Sequence, residues 1–125
     1  MAKANKVQPK WLIDVEEHDY PAASDYLHLT YDTTLVARMV NNLRAASIVY
    51  FKAKDIFRAS GLSLLGVSNS HVSKNLAKIS KGRAMSPLLL VRDVHLGKVV
   101  VADGYHRMCA AYTFNEDTLV PCKIA

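Results

Sequence analysis

One stretch, residues 99–111 (VVVADGYHRMCAA), constrains the fold more than any other part of the chain. It opens with three consecutive valines, which are stiff at χ1 and favour a strand. Asp103 and Gly104 follow, a pair that favours a tight turn. Beyond the turn, Met108, Ala111 and Tyr112 recur at helical spacing, so that one face of a helix can pack against the strand. The stretch therefore predicts a buried strand, a turn and a helix.

The start of that helix predicts a binding site for an anion. Amide N–H groups in a first helical turn lack helical partners and carry a partial positive charge, which together attract anions. His106 and Arg107 lie in this turn, where cations oppose the helix dipole, so local stability does not account for them. A bound phosphate or carboxylate would account for these two cationic residues. We expect four residues to contact it: Gly104, Tyr105, His106 and Arg107.

Each candidate residue has a structural alternative that the sequence leaves open. Arg107 either grips a phosphate with its planar fork or pairs with Asp103 or a loop carbonyl. His106 either bonds the phosphate and acts as an acid or base, or is an ordinary surface or core residue. Asp103 either orients Arg107, holds Mg²⁺ or accepts a proton, or caps the turn. Asp103 and His106 are therefore the catalytic candidates, and Gly104 lets backbone amides approach the ligand.

The length of 125 residues predicts a single domain, residues 1–125, in which residues 1–10 form a loose tail. The first residues lack the apolar core of a signal peptide, and the two cysteines form no CxxC motif. We therefore expect a cytoplasmic protein with free thiols. His106, Cys109 and Cys122 are too scattered for zinc, which normally takes four ligands, so no metal site is predicted.

The middle of the chain is strongly basic. Residues 38–83 hold nine lysines and arginines against one aspartate, within a net charge of +5. Lys74, Lys78 and Lys81 recur at i, i+4 and i+7 on the polar side of a predicted helix, and Arg83 follows. This basic line indicates either a DNA- or RNA-associated module without catalytic activity or a lysine-rich solvated surface.

The remaining elements predict an α+β fold, with a small mixed sheet packed against several helices. Helices are expected at residues 22–29, 35–47, 54–60, 72–81 and 105–112, and strands at residues 88–94, 99–102 and 119–124. The cluster Asp32-Thr33-Thr34 is expected to cap the second helix, Gly61 to end the third, and Ser68 or Ser70 to cap the fourth. In the first helix, Tyr26, Leu27 and Leu29 are expected to face inward, while the preceding residues 16–19 are polar and expected to be exposed.

Residues 87–124 resemble the ParB/sulfiredoxin-like superfamily, and the match extends to residues 70–125 if the basic helix is included. The shared order is a helix, a proline, an apolar strand, a short turn, a second strand, a glycine motif that opens a helix, and a final strand. The partition-type motif is Gly-Glu-Arg-Arg-x-Arg-Ala, of which Gly104, Arg107 and Ala110 match. Tyr105, His106 and Cys109 replace its Glu and two of its Arg residues.

This resemblance implies a stand-alone ParB-like domain that binds a nucleotide or other phosphate-bearing ligand, with Mg²⁺ accompanying a nucleotide. It leaves open phosphoryl-transfer or nuclease activity, and so whether the protein is an enzyme. The sulfiredoxin motif, Gly-Gly-Cys-His-Arg, is matched at Gly104, His106 and Arg107. Its nucleophilic cysteine is replaced by Tyr105, so sulfinic-acid reduction is not expected. The missing Glu likewise puts partition-type nucleotide hydrolysis in doubt.

Overall fold

The computed structural model describes residues 8–66 and 68–125. Over these residues the chain forms five helices: α1 (Asp19–Leu27), α2 (Thr33–Ala45), α3 (Ala53–Ser60), α4 (Ser70–Ser80) and α5 (Tyr105–Phe114). The strands are β1 (Lys10–Trp11), β2 (Val49–Lys52), β3 (Ala84–Met85), β4 (Leu88–Asp93), β5 (Lys98–Asp103) and β6 (Leu119–Ile124). The predicted α+β class, with a small mixed sheet and several helices, is confirmed.

The main sheet has the strand order β2-β6-β4-β5. β4 and β5 form the expected antiparallel hairpin, while β6 pairs parallel to β4 and antiparallel to β2. β1 and β3 make a separate two-stranded parallel pair. β1 begins at Lys10, so the predicted tail does not extend to that residue, and its first seven residues lie outside the described part of the chain.

The first four residues of β4, Leu88–Val91, are buried on both faces, which accounts for their uninterrupted apolar sequence. Leu89 and Val91 join a core cluster with α1 and α2. Leu88 and Leu90 point the other way, into a cluster with α3 and α5. Because successive side chains of a strand alternate between faces, this one strand connects both layers of helices. α4 lies outside this sandwich and packs against α5 through a third cluster that includes Val72 and Ile79.

Of the predicted helix caps, those of α2 and α3 are confirmed and that of α4 is wrong. The Asp32 side chain accepts a hydrogen bond from the Leu35 amide at the start of α2, and Gly61 ends α3 in the left-handed conformation. α4 is capped by Asn69, whose side chain accepts from two amides of the first turn, and not by Ser68 or Ser70. Asn has a longer acceptor than Ser and is equally suited to this position.

Helix α1 also differs from its predicted form. It begins three residues earlier than expected, and this brings Asp19 into the interior with only 4% of its surface exposed. Residues 16–18 are exposed as expected. Of the three side chains expected to face inward, Leu27 is buried, whereas Tyr26 and Leu29 are exposed.

Within the described residues, no helix combines the length and the apolar character needed to cross a membrane.

Candidate functional site

Gly104 links β5 to α5 and has a backbone conformation that other residues rarely adopt. Its φ is +105°, in the left-handed region that favours glycine. A Cβ atom built here would overlap the Leu88 side chain and lie 3.0 Å from Nη2 of Arg107. Glycine is therefore required here because the side chains of Leu88 and Arg107 lie so close to the backbone. The close approach of a ligand, which the sequence suggested, is not needed to explain this glycine.

The first turn of α5 offers free amide groups. Gly104 provides no side-chain cap, and the first helical hydrogen bond runs from the Met108 amide to the Gly104 carbonyl at 2.9 Å. The amides of Tyr105, His106 and Arg107 precede that bond and have no helical acceptor. Since the partial positive charge of the helix is concentrated at these groups, this end of α5 favours an anion.

A cavity of about 280 Å³ opens at this helix start. Residues 103–107 form one wall, and side chains of α4 form another. Asp19, the first residue of α1, and Ser86, from the segment between β3 and β4, also line the cavity. All the residues predicted from the turn motif therefore line one polar cavity, which the sequence could not establish.

The guanidinium of Arg107 is held by the protein itself. Its Nη2 donates to Oδ2 of Asp103 at 3.1 Å, to the Pro87 carbonyl at 3.3 Å and to Oδ2 of Asp19 at 3.5 Å. The side chain is 18% exposed, and its Nε is buried without a partner among the described residues. These contacts involve Nη2, and the predicted bidentate grip on a phosphate stays a prediction. Arg107 has the structural alternative, pairing with both a carboxylate and a loop carbonyl.

Asp19 is the residue of this cluster that the sequence did not reveal. Ser86 donates a hydrogen bond from Oγ to the same Asp19 Oδ2 that faces Arg107, and His18 Nε2 lies 3.3 Å from Oδ1. Asp19 and Asp103 therefore share one guanidinium. Burial raises the pKa of the Asp103 carboxyl, although Arg107 opposes that rise. Asp103 thus orients Arg107, one of the roles expected for it.

His106 lies beside a second imidazole, that of His71 at the start of α4. The two ring centroids are 4.8 Å apart and the planes are tilted by 44°. Burial, followed by the neighbouring His71 and Arg107, lowers the pKa of His106 from its ordinary value. His106 is therefore mostly neutral at pH 7 and has a ring nitrogen available to accept a proton or a hydrogen bond.

Only one residue of the predicted basic line reaches the cavity. Lys78 lines it, together with His71 and Asn75, which lie seven and three residues earlier on the same face of α4. Lys74, Lys81 and Arg83 are exposed and are not part of the cavity wall. The i, i+4, i+7 spacing of His71, Asn75 and Lys78 was present in the sequence and could have indicated this second wall.

No family model, curated protein or solved structure matches this chain. The resemblance to the ParB/sulfiredoxin-like superfamily therefore depends on the glycine motif and on the order of elements. That order is present in the fold: α4, Pro87, β4, a turn, β5, Gly104, α5 and β6. Membership of the superfamily stays a prediction.

The acidic side chains of the cavity do not form a site for protein-bound Mg²⁺. Asp19 and Asp103 direct Oδ2 atoms at Arg107, so these oxygens already serve a cation. Across residues 8–66 and 68–125 there is no group of three or more His, Cys, Asp or Glu residues placed to hold a metal ion. A Mg²⁺ ion at this site would have to be carried by the phosphates of a ligand.

The two cysteines belong to different parts of the core. Cys109 packs with α4, and Cys122 lies between the sheet and α3 and α5. Both thiols are free and buried, and burial raises the pKa of each, that of Cys122 to about 12. Thiols with raised pKa values are weak nucleophiles and weak metal ligands, so neither one adds chemistry to the cavity.

Proposed function

We propose that the polar cavity at the start of α5 binds a small phosphate-bearing ligand, with a nucleotide as the class that the motif resemblance favours. The supporting observation is that the uncapped first turn of a ten-residue helix lines a cavity of about 280 Å³, which is also lined by Lys78 and three histidines. Helix N-termini of this kind bind phosphate through N–H groups and the helix dipole.

The proposal assigns a separate role to each group that lines the cavity. The amides of Tyr105, His106 and Arg107 hold the phosphate oxygens, and Lys78 supplies the positive charge that Arg107 does not offer. Arg107 acts indirectly: by binding Asp19 and Asp103 it offsets part of the negative charge with which these two carboxylates repel the ligand. His106 donates to the phosphate once it is protonated, or accepts a proton from an attacking group when it is neutral.

The cavity carries more acidic than basic groups, and this limits the affinity. Glu16, Asp19 and Asp103 face Lys78 and Arg107, so three acidic groups oppose two basic ones when the histidines are neutral. Binding therefore depends on hydrogen bonds more than on net charge. Since phosphate favours protonated histidine, we expect the affinity to rise as the pH falls from about 7.5 to 6.

Thermal shift measurements test the proposal. The panel contains inorganic phosphate, pyrophosphate and nucleotides, each with and without Mg²⁺. A ligand at one hundred times its Kd stabilises the folded state by about 2.7 kcal/mol, which raises the Tm by several degrees. We expect such a shift for the wild type and a clear reduction of it in Lys78→Met.

The matched control is Lys74→Met, which removes the same charge one turn earlier on α4 but outside the cavity wall. It should leave the shift unchanged. If no member of the panel shifts the Tm, or if Lys74→Met and Lys78→Met weaken it equally, the cavity is not the binding site. Arg107→Ala is less informative as a test, because it removes the partner of two carboxylates.

The proposal extends to catalysis, in the form of phosphoryl-transfer or nuclease activity. Asp103 and His106 would donate and accept protons in this reaction. To test this, the protein is incubated with the ligand that raises its Tm, and separately with single-stranded DNA and RNA. The products are then separated. Turnover that is lost in His106→Asn while binding is retained supports a catalytic role. Unchanged substrates under conditions of full binding would assign the protein a binding function alone.

The alternative is a DNA- or RNA-associated module that uses Lys74, Lys78, Lys81 and Arg83. All four side chains are exposed along α4 and just after it. Polyanion binding of this kind weakens steeply with salt, by roughly one unit of log–log slope for each phosphate neutralised. It would be lost in Lys74→Met as much as in Lys78→Met. A cytoplasmic location, where free thiols persist, is part of both proposals.

A further inference from the structure

A second cavity, of about 440 Å³, also borders the start of α5. It shares residues 103–106 with the polar cavity, so the helix start forms a wall common to both. Its other walls are Ala22, Tyr26, Leu62, Val101 and Ala102, and we call it the apolar cavity. Its volume is within the range of about 300–1,000 Å³ that is typical of small-molecule pockets.

The chemistry of the two cavities is complementary. The polar cavity is lined by carboxylates, imidazoles and basic side chains beside the first turn of α5, whereas the other walls of the apolar cavity are aliphatic side chains and an aromatic one. Tyr26 is 46% exposed and Leu62 is 37% exposed, so both have apolar surface that a ligand can cover. Exposed aromatic side chains bind flat groups by stacking, without selecting for a particular ring.

The wall that carries Leu62 is held in place from the helix start. The Tyr105 hydroxyl donates a hydrogen bond to the carbonyl of Ser63, the residue after Leu62. Tyr105 also lines both cavities. The loop after α3 is therefore attached to the residue that follows Gly104, so the apolar wall and the phosphate-binding amides are fixed relative to each other.

We infer that the ligand of this site is a phosphate ester whose other part is a flat apolar or aromatic group, which lies in the apolar cavity against Tyr26 and Leu62. This inference rests on the proposed function, because it is the bound phosphate at the shared wall that places the rest of the ligand there. It assigns specificity to α1 and to the loop after α3, outside the glycine motif.

Paired probes test this inference by comparing ligands that differ only in the apolar part. Phenyl phosphate is compared with methyl phosphate, and nucleoside monophosphates with ribose 5-phosphate, by calorimetric titration of the full chain. Stacking on one aromatic side chain is worth about 1–3 kcal/mol, so the ring-bearing member of a pair should bind about five- to one-hundredfold tighter.

Three variants complete the test. Tyr26→Ala should reduce the affinity for the ring-bearing probe to that for the ring-free member of the pair. It should leave the affinity for methyl phosphate unchanged. Tyr50→Ala, at another exposed tyrosine on β2, should change neither. Lys78→Met should weaken both members of a pair equally.

The outcomes separate the two proposals. Equal affinities within both pairs, with binding still dependent on Lys78, would overturn the inference and leave phosphate binding intact. An equal effect of Tyr26→Ala and Tyr50→Ala would also overturn it. If no probe binds at all, the proposed function fails and the inference fails with it.

Discussion

Gly104→Ala should destabilise the fold by an amount that can be worked out from its surroundings. A residue other than glycine in the left-handed region costs about 1–2 kcal/mol, and the φ of +105° lies beyond the range that alanine adopts there. The new Cβ must also displace Leu88, which is fully buried. Overpacking of a filled core costs about 1–3 kcal/mol. Together these give a loss of about 2–5 kcal/mol.

Two other glycines provide matched controls for this substitution. Gly97 has a φ of +64° but nothing within 4 Å of a built Cβ, so Gly97→Ala carries only the backbone cost of about 1 kcal/mol. Gly66 has neither a positive φ nor a nearby atom, so Gly66→Ala should change stability by no more than about 0.5 kcal/mol.

Urea unfolding followed by circular dichroism measures all three variants. The free energy of unfolding should fall in the order Gly66→Ala, Gly97→Ala, Gly104→Ala, with an unchanged m-value. The difference between the last two combines the cost of displacing Leu88 with the greater backbone strain at a φ of +105°. A Gly104→Ala variant no less stable than Gly97→Ala would refute the packing described around the helix start.

Further predictions concern the charged and titratable groups. Arg107→Met should cost about 3–5 kcal/mol in urea unfolding, because it leaves two largely buried carboxylates without their cation; Arg58→Met, in an exposed pair, should be close to wild type. The lowered pKa of His106 means that protonation favours the unfolded chain, so stability is full above pH 6.5 and falls below it. His106→Gln should therefore lose less stability than the wild type between pH 7.5 and 5.5. Cys109 and Cys122 should not react with a thiol reagent until urea unfolds the chain, since both are buried with raised pKa values; rapid reaction of the native protein would contradict this.

The sequence was most informative where a local rule decides the structure. The valines before Asp103, the glycine at 104 and the apolar spacing beyond it predicted β5 and α5, since each depends on neighbouring residues alone. β6 was likewise predicted with its observed bounds, residues 119–124. Helix α2 followed from an N-cap and a periodic apolar stripe.

Features that depend on distant residues were missed. Asp19 belongs to a polar tetrapeptide that resembles an exposed turn, yet it is buried because Ser86 and Arg107, 67 and 88 residues away, supply its hydrogen bonds. The same contact decides the role of Arg107, for which the sequence left two alternatives. The parallel pairing of β1 with β3 joins two-residue strands, which are too short to show periodicity.

The most direct test of phosphate binding is a ¹H–¹⁵N correlation spectrum of the labelled protein titrated with inorganic phosphate. The amides of Tyr105, His106 and Arg107 have no helical acceptor, so a phosphate bound there must change their chemical shifts first and in a saturable way. We predict those three signals to move together with one Kd, and to move less at equal phosphate in Lys78→Met. Unchanged signals from these amides, with shifts confined to exposed lysines, would contradict the account.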